Sequence, residues 1–321
     1  MMYFKKLIHP EYFQGQKKKR RYFEGWYYKT VSSDGSYTMA FIPGISLNEK
    51  DPHAFIQVFV SHQEDEHTHL ESHYFRFDQK DFTYGFDDFY VKIKENYFSK
   101  ETLQINLKND VISIKGKLSL SEITPIIKTL FTPNIMGFFG YFHFMECYHG
   151  VVSMTHELMG DMNLNGQNVS FNQSKGYIEK DWGKSFPRAY VWLQSNHFQN
   201  KKTSFMFSYA DIPFLGFYFK GLIANLYYEG KEYRFATYNF AKVKKEIIEP
   251  RKVSYVLKKG KYRLEIVAES TNEIDLASPK DGQMINSIKE GLSGSIHLKM
   301  YKKNQLVFED TGYHAGIEIM K

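Results

Sequence analysis

The chain has 321 residues, a formal net charge of +6 and a hydrophobic content of 42%. This length suits one large or two medium domains, and the apolar content can fill a core, which excludes wholesale disorder. The single cysteine, Cys147, excludes an intrachain disulfide and a zinc–thiolate site, and it fits a reducing compartment.

Residues 1–21 form a basic N-terminal segment that we expect to precede the first domain. Its dense run, Lys17-Lys18-Lys19-Arg20-Arg21, is typical of a solvated segment and less often of a contact with an anionic membrane surface. We expect no nucleic-acid binding, because no recognised motif accompanies the charge. The segment lacks the apolar core of a signal peptide, so we expect a cytoplasmic protein.

Residues 22–160 read as a first β-rich domain. Tyr22 to Val31 and Tyr37 to Ile42 alternate like strands around a turn at residues 33–36, and further alternating runs continue to Leu120. The histidines at positions 62, 67, 69 and 73 could suggest a metal site. We interpret them as part of a polar surface loop and predict no metal.

Residues 161–321 read as a second β domain. Asn165-Gly166 predicts a tight hairpin, and aromatic strands follow it with short polar turns between them. With little helical periodicity anywhere, the fold class is all-β, a sandwich or barrel in two similar domains.

Two clusters that combine acids with tryptophan carry the main chemical signal. They are Arg21-Tyr-Phe-Glu-Gly-Trp-Tyr-Tyr-Lys29 and the stretch Glu179-Lys-Asp-Trp-Gly183. A carboxyl group among aromatics can act as a general acid, and aromatic faces stabilise a nearby cation by about 0.5–2 kcal/mol. This pattern suits protonation of an alkene, followed by attack of a hydroxyl on the carbocation.

The candidate acids are Glu24, Glu179 and Asp181. Each also has a structural interpretation, since Glu24 could pair with Lys29 or Arg21 and Asp181 could bond Arg188. Farther along, Gln194 and Asn196 share a strand face with Tyr190 and Trp192. These amides could orient a polar ligand head or hydrogen-bond a neighbouring loop.

The sequence resembles the tocopherol cyclase family over most of its length, roughly from Tyr22 to Glu318. The segments that carry the resemblance are Tyr22-Phe-Glu-Gly-Trp-Tyr-Tyr-Lys29, Ala40-Phe-Ile-Pro-Gly44, Glu146-Cys-Tyr-His-Gly-Val-Val-Ser-Met154, Glu179-Lys-Asp-Trp-Gly183, Trp192-Leu-Gln-Ser-Asn196 and Ala315-Gly-Ile-Glu318. The central motif departs from the family pattern at Asp181, where the family usually has asparagine.

The resemblance implies a cofactor-free cyclisation of a prenylated quinol to a chromanol, on paired lipocalin-like β domains. The bound partner would be an apolar isoprenoid or prenylquinol. Together with Glu24, Glu179 and Asp181 as catalytic residues, the following side chains are predicted to bind substrate: Trp26, Tyr28, Trp182, Arg188, Tyr190, Trp192, Gln194 and Asn196.

Two other functions fit the same residues. A lipocalin-like carrier could hold an apolar isoprenoid or lipid in a barrel without turning it over. Carbohydrate cleavage on aromatic platforms with paired acids is a further alternative. The position of the carboxyl groups relative to a ligand cavity discriminates between them.

Overall fold

The computed structural model describes residues 2–64 and 67–321, and most of these residues lie in antiparallel strands. The chain divides into two compact units. Unit 1 comprises the chain up to residue 136 with residues 147–186 and 277–287, and unit 2 comprises residues 137–146, 187–276 and 288–321. The predicted all-β class in two domains is confirmed.

The first sheet belongs to unit 1. Its strands are β1 (Tyr22–Val31), β2 (Tyr37–Leu47), β3 (His53–Glu64), β4 (His67–Asp78), β5 (Phe82–Tyr84), β6 (Tyr90–Ile93), β7 (Asn96–Ser99), β8 (Thr102–Lys108), β9 (Ser113–Ser121), β10 (Cys147–Leu164), β11 (Gln167–Ser170) and β12 (Ser174–Gly183). Their order is β4-β3-β2-β1-β12-β10-β9-β8-β7-β6-β5, with β11 paired to β10.

The predicted domain boundary at residues 160 and 161 lies inside β10, which is one continuous strand of unit 1. The Asn165-Gly166 hairpin was placed correctly: both residues have positive φ, 51° and 91°, and Leu164 pairs with Gln167. However, this hairpin returns the chain to the first sheet, where β12 pairs with both β10 and β1. Local turn signals could not reveal this long-range pairing.

The basic N-terminal segment is also not separate from unit 1. It contains the helix α1 (Met2–Ile8) and a 3₁₀ turn at Gly15–Lys17. Tyr12 and Phe13 are buried in the core of unit 1, whereas residues 17–21 are exposed. The segment therefore contributes to the fold.

The second sheet belongs largely to unit 2. Its strands are β13 (Tyr190–Ser195), β14 (His197–Phe198), β15 (Thr203–Phe214), β16 (Phe217–Tyr228), β17 (Lys231–Ala236), β18 (Lys242–Ile248), β19 (Lys252–Lys259), β20 (Tyr262–Glu269), β21 (Ile274–Lys280), β22 (Gln283–Lys302) and β23 (Gln305–Met320). Their order is β17-β16-β15-β13-β23-β22-β20-β19-β18, with β14 and β21 paired to β23 and β22.

One face of this second sheet forms the apolar core of unit 2. Leu193, Phe205, Phe207 and Leu226 are among its fully buried members. Further 3₁₀ turns lie at Gln79–Asp81, Gly137–Tyr141 and Thr237–Asn239. Within the described residues, no helix is long and apolar enough to cross a membrane.

Candidate active site

The two acid–tryptophan clusters lie side by side on the adjacent strands β1 and β12. Glu24 pairs with Trp182 and Trp26 with Lys180, so these side chains share one face of the sheet. Since successive side chains of a strand alternate, Asp181 lies on the opposite face. The candidate acids are therefore divided between two faces of one sheet.

On the first face, Glu24 is completely buried and its carboxylate accepts several hydrogen bonds. The donors are the backbone N–H of Gln14 at 2.8 and 3.0 Å, the backbone N–H of Gly15 at 2.9 Å and the hydroxyl of Tyr22. Lys180 also forms an ion pair with it. Hydrogen bonds of this kind stabilise the ionised form of a carboxyl group.

Lys180 completes this buried pair and is itself fully coordinated. Its ammonium donates to the carbonyl oxygens of Pro10 and Tyr12, both at 2.7 Å, and lies 4.6 and 4.7 Å from the ring centres of Trp26 and Trp182. Burial lowers the pKa of Lys180 to about 8, while the charge of Glu24 opposes that effect. The ammonium therefore stays protonated at neutral pH.

The aromatic residues of this face are core residues. Trp26 donates from Nε1 to the carbonyl of Glu11 at 2.8 Å, Tyr28 donates to the carbonyl of Ser99 at 3.0 Å, and Trp182 stacks on Tyr148. Trp26 and Tyr28 are almost completely buried, and Trp182 is 9% exposed. These contacts favour a structural role over the predicted substrate contact.

This face therefore anchors residues 10–15 of the chain to the sheet. The sequence predicted Glu24 as a catalytic acid or as a partner of Lys29 or Arg21. The structure instead gives it Lys180 and backbone donors as partners, in a completely buried position. The reason is the pairing of β1 with β12, which places the lysine of one cluster beside the acid of the other.

The opposite face holds a different group of titratable side chains, built on β10 and β12. His149 pairs across the strands with Asp181, and Val151 pairs with Glu179. The imidazole Nδ1 lies 2.9 Å from Asp181 Oδ1, and Nε2 lies 3.5 Å from Glu179 Oε2. We call His149, Glu179 and Asp181 the histidine–carboxylate cluster.

The charge of His149 is determined by its two neighbours. Burial alone would lower its pKa, but the negative charges of Asp181 and Glu179 and the hydrogen bond with Asp181 raise the pKa to about 9. The imidazole is therefore a cation at neutral pH. The side chains of His149 and Asp181 are 14% and 27% exposed, so this part of the cluster is partly exposed.

Tyr177 supports the second carboxylate of the cluster. Its hydroxyl donates to Glu179 Oε2 at 2.5 Å, and burial with the nearby charge of Glu179 raises the pKa of this phenol well above its usual value. Tyr177 therefore stays protonated and fixes one oxygen of Glu179. The arrangement parallels that of Tyr22 and Glu24 on the first face, two residues apart in each strand.

The histidine–carboxylate cluster can hold and transfer a proton, and its donor set could also bind a metal. One ligand atom from each of its three residues lies within 4.8 Å of the others. However, the two ring nitrogens of His149 contact different carboxylates, and a metal ion on one nitrogen would have to replace the proton there. A protonated imidazole, which carries a hydrogen on each ring nitrogen, accounts for both contacts. The predicted loop histidines at 62, 69 and 73 lie on β3 and β4, and the side chain of residue 67 lies outside the described residues.

The remaining predicted binding residues belong to unit 2. Arg188 bonds Asp211 from Nε at 3.0 Å and stacks on Tyr218, so it is not a partner of Asp181. Tyr190 donates its hydroxyl to Glu318 at 2.6 Å, and Trp192 pairs across the strands with the same residue. Arg188 is more than half exposed, whereas Tyr190 and Trp192 are buried.

The two predicted amides differ in their surroundings. Both Gln194 and Asn196 are completely buried. Asn196 Oδ1 lies 2.9 Å from His197 Nδ1, whereas both amide atoms of Gln194 lack a hydrogen-bond partner among the described residues. Asn196 therefore has a hydrogen-bond partner, whereas Gln194, two residues earlier, has none among the described residues.

Sequence reasoning missed His149 and Tyr177 as members of the site. The signal was present in part, because His149 lies in the segment Glu146 to Met154 that resembles the family. Its chemical meaning depends on the pairing of β10 with β12, which brings positions 149 and 181 together. Tyr177 could have been found from the repeated spacing of Tyr and Glu at 22 and 24 and at 177 and 179.

A cavity lies in unit 2, away from the histidine–carboxylate cluster. It has a volume of about 320 Å³, and its lining includes Tyr228, Phe308 and Asp310. Asp310 accepts hydrogen bonds from the backbone N–H groups of Asn200 and Thr311 at 2.9 and 2.7 Å, so its carboxylate stabilises a loop. This cavity does not contain the histidine–carboxylate cluster.

Comparison with known proteins places these features in a family context. A family model described as tocopherol cyclase-like matches residues 122–320. The rice protein named "Probable tocopherol cyclase, chloroplastic" (Oryza sativa subsp. japonica) is 23% identical over 189 residues. That match covers 55% of this chain and 39% of the rice protein, so the chain matches well under half of the length of this relative.

Two solved structures share the fold at low sequence identity. A protein assigned as AttH from Nitrosomonas europaea is 13% identical with a TM-score of 0.56, over 95% of this chain and 94% of that chain. Kievitone hydratase from Nectria haematococca is 10% identical with a TM-score of 0.51, over 96% and 93% of the two chains. The lipocalin-like fold class is thereby confirmed.

Proposed function

Because the chain belongs to the tocopherol cyclase-like family, we propose that it catalyses a proton-initiated, cofactor-free cyclisation or hydration of a prenylated quinol or another isoprenoid. The observation that carries the proposal is the position of His149 between Asp181 and Glu179 on a partly exposed face, where the two carboxylates raise its pKa to about 9. One relative is named for a cyclisation and one structural neighbour for a hydration. Both reactions can begin with transfer of a proton to carbon.

The proposed reaction balances without an oxidant or reductant. A proton moves from the cluster to one carbon of the prenyl double bond, which forms a C–H bond and leaves a cation on the other carbon. The hydroxyl oxygen of the quinol attacks this cation and forms the C–O bond of the new ring. The hydroxyl proton then returns to the cluster, so the product is an isomer of the substrate. In a hydration, water replaces the hydroxyl.

Each member of the cluster has a separate proposed role. His149 holds the proton, and Asp181 fixes the ring through Nδ1. After proton transfer the imidazole is neutral beside two carboxylates, and their negative charge stabilises the carbocation formed next to them. Tyr177 positions Glu179 by its hydrogen bond of 2.5 Å and does not itself transfer a proton.

Replacement of the cluster histidine tests this assignment. We expect His149→Gln to reduce turnover of a prenylated quinol by about 10²–10⁴-fold, the usual contribution of a general acid, with substrate binding retained. The matched control is His297→Gln, because His297 also lies beside a carboxylate, 3.3 Å from Glu309, but at a 37% exposed site in unit 2.

The carrier alternative predicts a different result from the same experiment. If the wild-type protein retains the prenylated quinol and returns it intact, with no difference between the wild-type and His149→Gln proteins, the enzyme assignment is wrong. Equal loss of binding and turnover in His149→Gln would instead assign the cluster to binding alone.

Supply of an apolar substrate from a membrane is a further part of the proposal. Of the basic run, Arg20 pairs with Glu49 and Arg21 with Asp281, whereas Lys17, Lys18 and Lys19 are exposed. These lysines could contact an anionic lipid surface from a cytoplasmic location. Co-sedimentation with vesicles that contain phosphatidylserine, compared with neutral vesicles and with a triple Lys→Gln variant, would test the contact.

A further inference from the structure

The hairpin that joins β15 to β16 carries apolar side chains at its exposed end. Leu215 and Gly216 form a two-residue turn with φ of 50° and 90°, and Phe214 pairs with Phe217 beside it. Leu215 and Phe217 are 71% and 60% exposed. Comparable turns have a polar residue before the glycine: Asn165-Gly166, Glu229-Gly230 and Asp281-Gly282. The turn conformation therefore does not explain the leucine.

Four phenylalanine rings of unit 2 continue this apolar surface: Phe138, Phe139, Phe142 and Phe144. The ring centres of the last three lie 6.2, 5.7 and 5.5 Å from that of Phe214. Phe138 stacks on Phe139 at 4.5 Å. We call residues 214–218, together with these four rings, the aromatic tip.

The aromatic tip exposes a large apolar area. Its exposed side chains are Phe138, Phe144, Leu215, Phe217 and Tyr218. Because an aromatic side chain has roughly 150–250 Å² of surface and these side chains are about half exposed, together they present on the order of 500 Å². Patches of this size on a protein surface often bind another protein or a membrane.

The polar side chains behind the tip are arranged in layers along the hairpin. At ~3.3 Å per residue, Tyr218 lies up to ~7 Å and Lys220 up to ~13 Å from the glycine of the turn. The guanidinium of Arg188 stacks on Tyr218, 3.8 Å from the ring centre. Arg188 and Lys220 both form ion pairs with Asp211, each at 3.0 Å. Two cations and one anion give this layer a net positive charge.

This order of side chains matches the surface of a lipid bilayer. Leucine and phenylalanine favour the acyl chains, tyrosine is enriched at the level of the headgroups, and basic side chains bind phosphates. Apolar faces of peripheral proteins reach ~5–10 Å into the boundary of headgroups and acyl chains, which is the distance from the turn to Tyr218. In a symmetric dimer through the tip, the cationic layers of two chains would instead approach each other.

We propose that the aromatic tip inserts into the surface of a phospholipid bilayer. Leu215 and Phe217 enter the acyl chains, and Arg188 and Lys220 contact the headgroup phosphates. Since burial of apolar area drives the insertion, it needs no anionic lipid and persists at high salt. This distinguishes it from the electrostatic contact proposed for the exposed lysines at positions 17–19.

The proposal goes beyond the reaction and does not rest on it. A variant of the tip that no longer binds a bilayer should still convert a soluble, short-chain prenylated quinol at the wild-type rate. A protein that binds vesicles but converts no quinol refutes the proposed function alone. A protein that converts the quinol but does not bind vesicles refutes the inserted tip alone.

The test is flotation with phosphatidylcholine vesicles in about 0.5 M NaCl, which screens the exposed lysines. We expect the wild-type protein to float and the double variant Leu215→Asn/Phe217→Thr to bind about 10–100-fold more weakly, because two apolar side chains are lost. The double variant should fold normally, since asparagine suits the positive φ of the turn and threonine suits a strand.

The matched control is the double variant Val111→Asn/Phe86→Thr in unit 1. Val111 and Phe86 are 69% and 62% exposed, so the control loses side chains of similar type and exposure outside the tip. It should float like the wild type. As a second measurement, Phe217→Trp should give a fluorescence that shifts to the blue on vesicles and is quenched by brominated acyl chains, since the three native tryptophans are buried.

Three results would overturn the proposal. One is a wild-type protein that does not bind phosphatidylcholine vesicles. Another is equal binding by the tip variant and its control. The third is a wild-type dimer that the tip variant makes monomeric in light scattering, with no vesicle binding by either protein, because the aromatic tip would then bind a second copy of the chain.

Discussion

At the scale of single residues, two histidines of β10 show how neighbouring charges decide protonation. His156 is buried beside Ser153 without a carboxylate contact among the described residues, and burial lowers its pKa to about 3. His149 is mostly buried, with 14% of its side chain exposed, yet Asp181 and Glu179 outweigh the effect of burial and raise its pKa to about 9. Of the two, only His149 can supply a proton at neutral pH.

The raised pKa of His149 predicts a stability that depends on pH. Because the folded pKa of about 9 exceeds the usual value of 6.5, protonation of His149 stabilises the fold fully below pH 6.5, and this stabilisation is lost as the pH rises through 9. The contribution is roughly 3 kcal/mol, from 1.4 kcal/mol for each pKa unit. Chemical denaturation of the wild-type and His149→Gln proteins across this pH range should show their difference in free energy of unfolding decreasing.

The wild-type and His149→Gln proteins have to be compared because Lys180 changes stability with pH in the opposite direction to His149. Its pKa is lowered to about 8 from 10.5, so its contribution to stability increases between these values. Lys180 is present in both proteins and cancels in the difference. A difference that stays constant from pH 6 to pH 10 would show that His149 is not protonated as described.

Asp181 provides a second test at this scale, at the position where the chain departs from the family pattern. In Asp181→Asn the imidazole loses the negative charge 2.9 Å from Nδ1, so the pKa of His149 should fall. An NMR titration that follows the His149 ring signals would measure the change. Asp161→Asn, at an exposed position of β10, the strand that carries His149, should leave the titration unchanged. An unaltered pKa in Asp181→Asn would contradict the account.

At the scale of elements, the pairing of β1 with β12 places the side chains that anchor the N-terminal segment and those of the histidine–carboxylate cluster on opposite faces of the sheet. Glu24 and Lys180 on one face hold the backbone of residues 10–15, while Glu179 and Asp181 on the other face contact His149. The same two sequence clusters therefore supply both functions. Strand alternation alone assigns each side chain to its face.

The anchoring face predicts a large loss of stability when its buried pair is broken. Glu24→Gln leaves the ammonium of Lys180 without its counter-charge in a completely buried site, so the free energy of unfolding should fall by about 3–5 kcal/mol. Glu49→Gln, which breaks an exposed pair with Arg20, should change it far less.

A double variant distinguishes the ion pair from the backbone anchors. In Glu24→Gln with Lys180→Met, no charge remains, but the carbonyls of Pro10 and Tyr12 lose their donor. We expect this protein to remain destabilised, with faster hydrogen exchange at the amides of Gln14 and Gly15. Full recovery of stability in the double variant would show that residues 10–15 are held by other contacts.

Strand content and the Asn165-Gly166 hairpin were predictable from sequence because both depend on nearby residues. The pairing of β12 with β1 was not, since it joins positions about 150 residues apart, such as Tyr27 and Glu179. That pairing places Glu24 beside Lys180, and Glu179 and Asp181 beside His149. His149 was therefore found only in the structure.

At the scale of the whole molecule, the family assignment and the all-β fold agree with the sequence resemblance. The two compact units, however, have other limits than the domains expected at residues 22–160 and 161–321. Unit 2 contains residues 137–146 as well as the chain from Pro187 onward, except for residues 277–287, which belong to unit 1. A sequence read in order predicts contiguous domains. The exchange of segments between the units depends on tertiary pairing that local patterns do not encode.

The most direct test of the central claim is to supply a prenylated quinol to the protein in D₂O and measure the product by mass spectrometry. Proton-initiated cyclisation must place one deuterium on the former alkene carbon, so we predict a chromanol that is one mass unit heavier than the product formed in H₂O, once its phenolic hydroxyl has been exchanged back in H₂O. His149→Gln should form little of it, and His297→Gln should form as much as the wild type. A chromanol without carbon-bound deuterium, or a quinol returned unchanged, would contradict the account.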